Sequence, residues 1–131
     1  MEVLRIKINI IGQNELGAKK DYFNMLMFEG ECNCEYFKGK TLGGAVDTQH
    51  YFGEGIGTYS ARYMLEGVDI EGKPCKIFVQ NDGKHEHGFL PSTPKVYTDS
   101  EALHWLEETE LVGRMYFAED GLYISICTKE E

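Results

Sequence analysis

Residues 111–128, LVGRMYFAEDGLYISICT, carry the clearest structural signal in the chain. Apolar and polar side chains alternate from Leu111 to Glu119 and again from Leu122 to Thr128. A period of two is typical of a strand with one buried face. Asp120-Gly121 stands between the two runs, and Asp-Gly at that place favours a tight β-hairpin. The stretch therefore predicts two antiparallel strands.

A second hairpin is predicted upstream of this one. Residues 58–66, TYSARYMLE, alternate strictly and form the strongest single strand candidate. The turn residues Asp69-Ile70-Glu71-Gly72 lead to a return strand over residues 73–81, which we expect Asn81-Asp82-Gly83 to end. Gly53-Glu54-Gly55-Ile56-Gly57 precedes the first strand and predicts a loop, because its glycines can adopt positive φ.

The remaining segments predict further strands and one irregular region. Residues 1–10 alternate around Leu4, Ile6, Ile8 and Ile10, which indicates a first strand rather than the apolar block of a signal peptide. Residues 22–29 are apolar on both faces, as a strand covered on both sides would be. A turn at residues 37–40 is expected to lead into a strand over residues 41–51. Residues 84–94, with two histidines and two prolines, are the least regular part of the chain.

One short helix is predicted in the C-terminal third. Thr98-Asp99-Ser100-Glu101 has the form of a capping box, and residues 102–106 supply a short apolar stripe. The count is then about eight strands and one short helix, with no internal repeat. The expected fold is all-β: an antiparallel, closed barrel formed by a single domain over residues 1–131, because closure removes exposed strand edges.

Composition limits the partners. The chain has 131 residues, and 13 Lys and Arg against 22 Asp and Glu give a net charge of −9. Nucleic-acid binding needs a basic face, and docking on anionic lipid needs basic clusters, so neither partner is expected. No segment approaches the roughly 20 apolar residues of a membrane helix.

The cysteine pattern bears on the compartment. Cys32, Cys34, Cys75 and Cys127 fit neither a disulfide framework nor a zinc-finger spacing. Reduced thiols in the cytoplasm are therefore expected. Cys32-Asn33-Cys34 can bind soft metals or cycle redox, but it lacks the Cys-x-x-Cys spacing of oxidoreductases, which favours two half-buried structural cysteines.

Several short motifs follow one another in a familiar order and spacing. They are GGAVDTQ at residues 43–49, ARYML at residues 61–65, Asp69, Gly72, Thr93-Pro94 and Trp105-Leu106. Together they resemble an uncharacterised, mainly microbial family called domain of unknown function 3237. The similarity covers most of the chain, from about Tyr36 to the end. The resemblance implies a single calycin-like, or lipocalin-like, β-barrel and no established reaction. Residues 84–88, KHEHG, depart from the family pattern.

Asp47 is the first candidate for a functional residue. A strand that places Asp47 and Gln49 on one face can aim the carboxylate into a barrel lumen, where desolvation raises the pKa of a carboxyl group and suits it to general base catalysis. Alternatively, Asp47 accepts backbone hydrogen bonds after the turn at residues 43–44, or pairs with Arg62.

The strand over residues 58–66 leaves the orientation of Arg62 open. If Arg62 points inward, burial of its guanidinium demands a partner such as Asp47, or a ligand carboxylate or enolate. If it points outward, Tyr59 and Tyr63 are the lumenal groups. The candidate ligand-binding residues are Asp47, Gln49, Tyr59, Arg62, Tyr63 and Asn81, and the candidate catalytic residues are Asp47, Arg62 and Tyr63.

Three histidines are weaker candidates for a metal site. His85 and His87 project to the same side in an extended backbone, and His50 could complete an open three-histidine site. No fourth ligand is signalled, and surface histidines are common in Gly- and Glu-flanked segments. The expectation is therefore no metal and no cofactor.

Three hypotheses for function remain. The first is a binding module that holds a small, partly apolar metabolite in the barrel lumen. The second is an enzyme of the isomerase or cyclase type, with Asp47 as general base and Arg62 or Tyr63 stabilising an oxyanion. The third is a structural or interaction protein with a filled barrel, working through an outer face or as a homodimer.

Overall fold

Nine antiparallel strands and one short 3₁₀ helix make up the described part of the chain. The structure, a computed structural model, describes residues 1–129. Every strand pairing in it is antiparallel, which confirms the predicted fold class. The elements, in chain order, are β1 (Glu2–Gly17), β2 (Tyr22–Asn33), β3 (Phe37–Thr41), β4 (Val46–Gly53), β5 (Ile56–Asp69), β6 (Pro74–Glu86), β7 (Thr93–Thr98), the 3₁₀ helix (Glu101–Glu108), β8 (Leu111–Ala118) and β9 (Gly121–Thr128).

The strands form one sheet in the order β7-β6-β5-β3-β2-β1-β9-β8. β4 pairs with both β2 and β5, so β2, β3, β5 and β4 form a closed cycle of four pairings. β3 contacts one half of β2 and β5, and β4 contacts the other half. β3 and β4 therefore share one position in the barrel wall, which leaves eight positions around it.

Ser92 and Gly113 close the remaining gap, between the β7 and β8 ends of the sheet. Their backbones exchange two hydrogen bonds, Ser92 N to Gly113 O at 2.8 Å and Gly113 N to Ser92 O at 3.0 Å. A Cβ atom on Gly113 would lie 2.3 Å from Ser92 Oγ. The glycine therefore leaves room for the Ser92 hydroxyl at the point where the two strands meet.

The alternation seen in the sequence separates the two faces of the wall. Leu65, Ile77 and Val79 are fully buried, while their neighbours Glu66 and Lys76 are exposed. Side chains at i and i+2 share a face of a strand, so each strand contributes one row to the interior. The 3₁₀ helix adds Leu103 and Leu106 to this core.

Two local predictions were wrong, and a third was only partly right: the loop predicted at residues 53–57 is limited to residues 54–55, because β4 ends at Gly53 and β5 begins at Ile56. The turn expected at residues 37–40 is strand β3, and Phe37 is fully buried there. The strand expected to end at Asn81-Asp82-Gly83 continues to Glu86. Both errors have a tertiary cause. Gly39 and Gly67 lie opposite each other in the β3–β5 pair, where a Cβ atom on either would collide with the neighbouring strand. Gly83 leaves room for the ring of Tyr59 against its backbone. These glycines therefore allow close packing within strands and do not form turns.

The helix begins at Glu101, two residues later than a capping box with Thr98 at the N-cap predicts. Ser100 is the N-cap, and within the described residues its side chain makes no capping hydrogen bond. Its hydroxyl instead donates to Asp69 Oδ2 at 2.7 Å, which ties the helix start to the turn between β5 and β6. Within residues 1–129 the structure contains no helix with the length and apolar character needed to cross a membrane.

Candidate functional site

The barrel lumen contains a cavity of about 240 Å³. Its walls are mainly apolar side chains from several strands, among them Ile8, Leu26, Phe28, Ala61, Leu122 and Ile124. Five of the six candidate ligand-binding residues also line it: Asp47, Gln49, Tyr59, Tyr63 and Asn81. A mostly apolar cavity with a few convergent polar groups is the usual form of a small-molecule site.

Asp47 reaches the cavity from β4. Its neighbours across the sheet are Leu26 on β2 and Ala61 on β5, so no charged residue flanks it in the wall. Gln49, two residues further along the same face, donates a hydrogen bond from Nε2 to Asp47 Oδ2 at 3.1 Å. The other carboxyl oxygen, Oδ1, is buried and has no hydrogen-bond partner among residues 1–129. Burial raises the pKa of Asp47, and the bond from Gln49 only partly offsets this.

Tyr63 and Asn81 present two further unpartnered atoms. Tyr63 is buried on β5, and its ring packs edge-on against Phe28 at 5.4 Å between centroids. Its hydroxyl has no hydrogen-bond partner in the described part of the chain. Burial raises the pKa of Tyr63, so the group is a neutral phenol that can donate or accept. Asn81 lies on β6, opposite Ala61, and its Oδ1 is likewise buried and unpartnered.

Tyr59 lies on the same face of β5 and joins the cavity to the irregular segment. Its hydroxyl donates to the carbonyl of Leu90 at 2.7 Å. The ring of Phe89 meets Tyr59 edge-on at 5.3 Å, and Phe89 itself lines the cavity. The segment between β6 and β7 therefore folds over one wall and contributes an aromatic side chain to it.

Arg62 lies on the outer face of β5 and does not line the cavity. It is exposed, and its cross-strand neighbours are Val46 and Gln80. On the same outer face, Asp82 accepts hydrogen bonds from Ser60 at 2.6 Å and Gln80 at 2.9 Å. Burial alone would raise the pKa of Asp82, but these bonds and the nearby charge of Arg62 lower it. The sequence left open which face of this strand points inward. Arg62 points outward, so Tyr59 and Tyr63 face the lumen.

The three candidate histidines do not form a metal-binding cluster within residues 1–129. His50 stacks on Phe23 at 4.2 Å and contacts Asp21, with 2.6 Å between Nε2 and Oδ2. His85 Nδ1 lies 2.9 Å from the carbonyl oxygen of Gly55. His87 follows the end of β6 and has φ of 57°, so the extended geometry that would align it with His85 is not present.

Sequence reasoning missed several residues that line the cavity, notably Ser92, Arg114 and Phe117. Phe89 was missed with them. Met115 and Phe117 reach the wall from β8, where they pair with Ile124 and Leu122. Arg114 borders the cavity, but it is exposed and pairs with Ser125, so its side chain lies on the outer face of the hairpin. The positions of Met115 and Phe117, two apart in the run LVGRMYFA, were a usable signal, because such residues share a face of a strand.

Solved structures with the same fold are known. The chain is similar to a protein of unknown function from Clostridium acetobutylicum, with a TM-score of 0.80 and 19% identity over 96% of this chain and 95% of that chain. It is also similar to a beta-barrel-like protein from Acinetobacter baumannii, with a TM-score of 0.76 and 17% identity over 97% and 92% of the two chains. A protein from Penicillium herquei described as an enzyme gives a TM-score of 0.68 and 14% identity over 97% and 92%. At these identities the likeness shows the fold alone. No family model matches the chain, and no curated protein matches it significantly.

Proposed function

We propose that this protein binds a compact, partly apolar small molecule in the barrel lumen. The observation that carries the proposal is the set of three buried, unpartnered polar atoms around one apolar cavity: Asp47 Oδ1, Tyr63 Oη and Asn81 Oδ1. The barrel architecture also supports, as part of this proposal, the calycin-like identity and the kinship with domain of unknown function 3237. The free thiols of the four cysteines fit the cytoplasmic location expected from the sequence.

The energetics of the lumen favour a ligand with polar groups at one end. A buried polar atom without a hydrogen bond costs about 1–3 kcal/mol. Hydroxyl or amine groups of a ligand would donate to Asp47 and Asn81 and exchange a hydrogen bond with Tyr63. The rest of the ligand would contact the aliphatic and aromatic walls. The cavity lies just below the range of about 300–1,000 Å³ usual for drug-sized ligands, which suits a compact molecule.

The charges at the cavity set its selectivity. Asp47 opposes a ligand carboxylate beside it, because two carboxylates in a desolvated site repel each other. The proposed ligand is therefore neutral or cationic at the end that meets Asp47.

Three probes that share one apolar body test this proposal. Benzyl alcohol, benzylamine and benzoate all carry a phenyl ring and differ in the polar group. We expect benzyl alcohol and benzylamine to raise the Tm of the protein in a concentration-dependent way, because a ligand that binds only the folded state stabilises it. Benzoate is expected to have the smallest effect. Equal shifts for all three, or none, would count against the proposal.

A cavity-filling variant separates lumenal binding from binding elsewhere. Ala61 lines the cavity, so Ala61→Leu removes space for the probe. Met64 is exposed on the opposite face of the same strand, and Met64→Leu serves as the matched control. We expect the probe-induced shift to vanish in Ala61→Leu and persist in Met64→Leu. A shift that survives in both variants would place the probe outside the lumen.

An enzyme of the isomerase type is the second candidate, favoured by one observation. Asp47 is a desolvated carboxylate with a raised pKa, and the neutral phenol of Tyr63 lines the same cavity. Such a pair can remove a proton next to a carbonyl group and donate a hydrogen bond to the resulting enolate. Arg62, predicted as an alternative oxyanion partner, is on the outer face and has no part in this version.

Deuterium exchange tests this second candidate without a known substrate. Phenylacetone in D₂O exchanges its α-hydrogens, and NMR follows the rate. We expect the protein to accelerate the exchange and Asp47→Asn to abolish the acceleration while keeping its Tm shift with benzyl alcohol. Equal exchange rates for the wild type and Asp47→Asn would exclude the enzyme hypothesis and leave the hypothesis of a binding module.

The cavity argues against the third hypothesis, in which side chains fill the barrel completely. Formation of a homodimer stays a prediction.

A further inference from the structure

Cys32 and Cys34 form a close pair of thiols at the end of β2. Cys32 is buried and its Sγ donates a hydrogen bond to Cys34 Sγ, with 3.3 Å between the two sulfurs. β2 ends at Asn33, so Cys34 lies just beyond the strand. The spacing that predicted two structural cysteines thus places one sulfur in the core and the other, half-buried, towards the surface.

The backbone of β1 holds Cys34 in place. The amide of Arg5 donates to Cys34 Sγ at 3.1 Å, so a sulfur takes the place of a carbonyl acceptor at this point of the sheet. Cys34 also lines a surface groove of mixed charge, which contains Arg5 and Lys38 as well as Glu2 and Glu35. The thiol therefore meets solvent there, where the charge of Arg5 favours its ionised form and the charge of Glu2 opposes it.

The two thiols differ in acidity. The hydrogen bond from Cys32 lowers the pKa of Cys34 to about 7, with the Arg5 amide acting in the same direction and burial opposing it. The same hydrogen bond and burial raise the pKa of Cys32. One sulfur is thus a partly ionised nucleophile near neutral pH, and its neighbour stays protonated until a partner is available.

We propose that Cys34 and Cys32 form an oxidisable dithiol that reacts with hydrogen peroxide to give an intramolecular disulfide. The Cys34 thiolate attacks one peroxide oxygen, the O–O bond breaks, and the leaving hydroxide takes up a proton to become water. Cys34 is then a sulfenic acid. The Cys32 sulfur attacks it, the S–O bond breaks, and a second water leaves with the proton of the Cys32 thiol. Two thiols and one peroxide become one disulfide and two waters, a two-electron oxidation.

Only a short movement is needed for the second step. A disulfide requires about 2.05 Å between the sulfurs. Cys34 lies outside the β2 ladder and can move towards Cys32 without breaking a strand pairing. Cys75 provides an internal comparison, because burial raises its pKa to about 11, and Cys127 contacts Ser125 Oγ at 3.4 Å rather than another sulfur.

Peptide mass spectrometry tests the proposal. The full-length reduced protein is exposed to hydrogen peroxide, denatured, alkylated with iodoacetamide and digested with trypsin. Both cysteines of the pair fall on the peptide of residues 21–38. We expect both cysteines of this peptide to become resistant to alkylation together, and the peptide to weigh two hydrogens less than its reduced, unalkylated form. Dithiothreitol should reverse both changes. Cys75 and Cys127 should stay open to alkylation, because peroxide should oxidise them at least about tenfold more slowly than the pair.

Two variants identify the attacking sulfur. Cys32→Ser removes the resolving thiol, and we expect a sulfenic acid at Cys34 that dimedone traps. Cys34→Ser leaves the buried Cys32, which should then stay unoxidised. If Cys32→Ser fails to fold, the surface-side variant Cys34→Ser carries the test alone. Similar oxidation of all four cysteines, disulfide-linked dimers, or an unchanged peptide of residues 21–38 would overturn the proposal, whatever the outcome of the ligand experiments.

Discussion

Gln49 donates a hydrogen bond to one oxygen of Asp47, and the other oxygen has no partner within the residues that the structure describes. The hydrogen bond from Gln49 Nε2 to Asp47 Oδ2 measures 3.1 Å, and Asp47 Oδ1 is buried beside the cavity. A half-satisfied carboxylate in an apolar site is costly to ionise. This relationship makes Asp47 the group whose titration and substitution report most directly on the lumen.

The raised pKa of Asp47 predicts a particular pH dependence of stability. The folded state favours the protonated form of Asp47. Its stabilising contribution to the free energy of unfolding is therefore fully present below the ordinary pKa of 3.8, and it is lost as pH rises through the higher pKa of the folded state. Urea unfolding of the wild type and Asp47→Asn over this range measures it. We expect the variant to gain stability relative to the wild type as pH rises, by about 1–2 kcal/mol at neutral pH.

Asp82 provides the control for this experiment, because its pKa is lowered in the folded state. The stabilising contribution of Asp82 to the free energy of unfolding is present above the ordinary carboxyl pKa. It is lost as pH falls through the lower pKa of Asp82 in the folded state. Asp82→Asn should therefore lose stability relative to the wild type as pH rises, opposite to Asp47→Asn. The same slope for both variants would contradict the assigned environments.

Tyr63 and Tyr59 should respond differently to loss of the hydroxyl. The Tyr63 hydroxyl has no hydrogen-bond partner between residues 1 and 129, so Tyr63→Phe is expected to be neutral or to stabilise the protein by up to about 1 kcal/mol. Tyr59 donates to the Leu90 carbonyl, and Tyr59→Phe should cost about 0.5–1.5 kcal/mol. Denaturant unfolding compares them. A clear loss in Tyr63→Phe would mean that its hydroxyl is satisfied in solution.

The seam between Ser92 and Gly113 predicts coupling between two substitutions. A Cβ on Gly113 would collide with Ser92 Oγ, so Gly113→Ala should cost about 1–3 kcal/mol. In a Ser92→Ala background the hydroxyl is absent and the cost should fall by more than about 0.5 kcal/mol. Additive effects in this double-mutant cycle would argue that the barrel is open at this point.

Much of the fold was predictable because alternation and turn chemistry are local. The run TYSARYMLE is a strand in β5, and residues 69–72 lie at the turn before β6. The hairpin of β8 and β9 is present, but its turn is Glu119-Asp120, one residue before the predicted pair, because Ala118 pairs with Gly121. The capping motif indicated the helix but placed its start two residues early. The Ser100 hydroxyl donates to Asp69, a buried carboxylate 31 residues away that local sequence does not reveal as a partner.

The errors lie where distant residues decide the backbone. Asn81-Asp82-Gly83 has turn chemistry, but its register against Tyr59, Ser60 and Ala61 keeps it extended. For the site, two-residue periodicity placed Asp47 with Gln49 and Tyr59 with Tyr63. It did not decide which face of β5 was inward. That choice depends on the closed sheet, and it separates Arg62 from Asp47.

The central claim is that a compact, partly apolar molecule occupies the lumen, and a two-dimensional ¹H–¹⁵N NMR titration with benzyl alcohol tests it most directly. We predict saturable shifts of the Asn81 side-chain amide and of the backbone amides of Asp47, Ala61 and Tyr63, which surround the cavity. The amides of outer-face residues such as Lys76 and Lys95 should stay unchanged. Shifts that do not saturate, or that concentrate on the outer face, would contradict the claim.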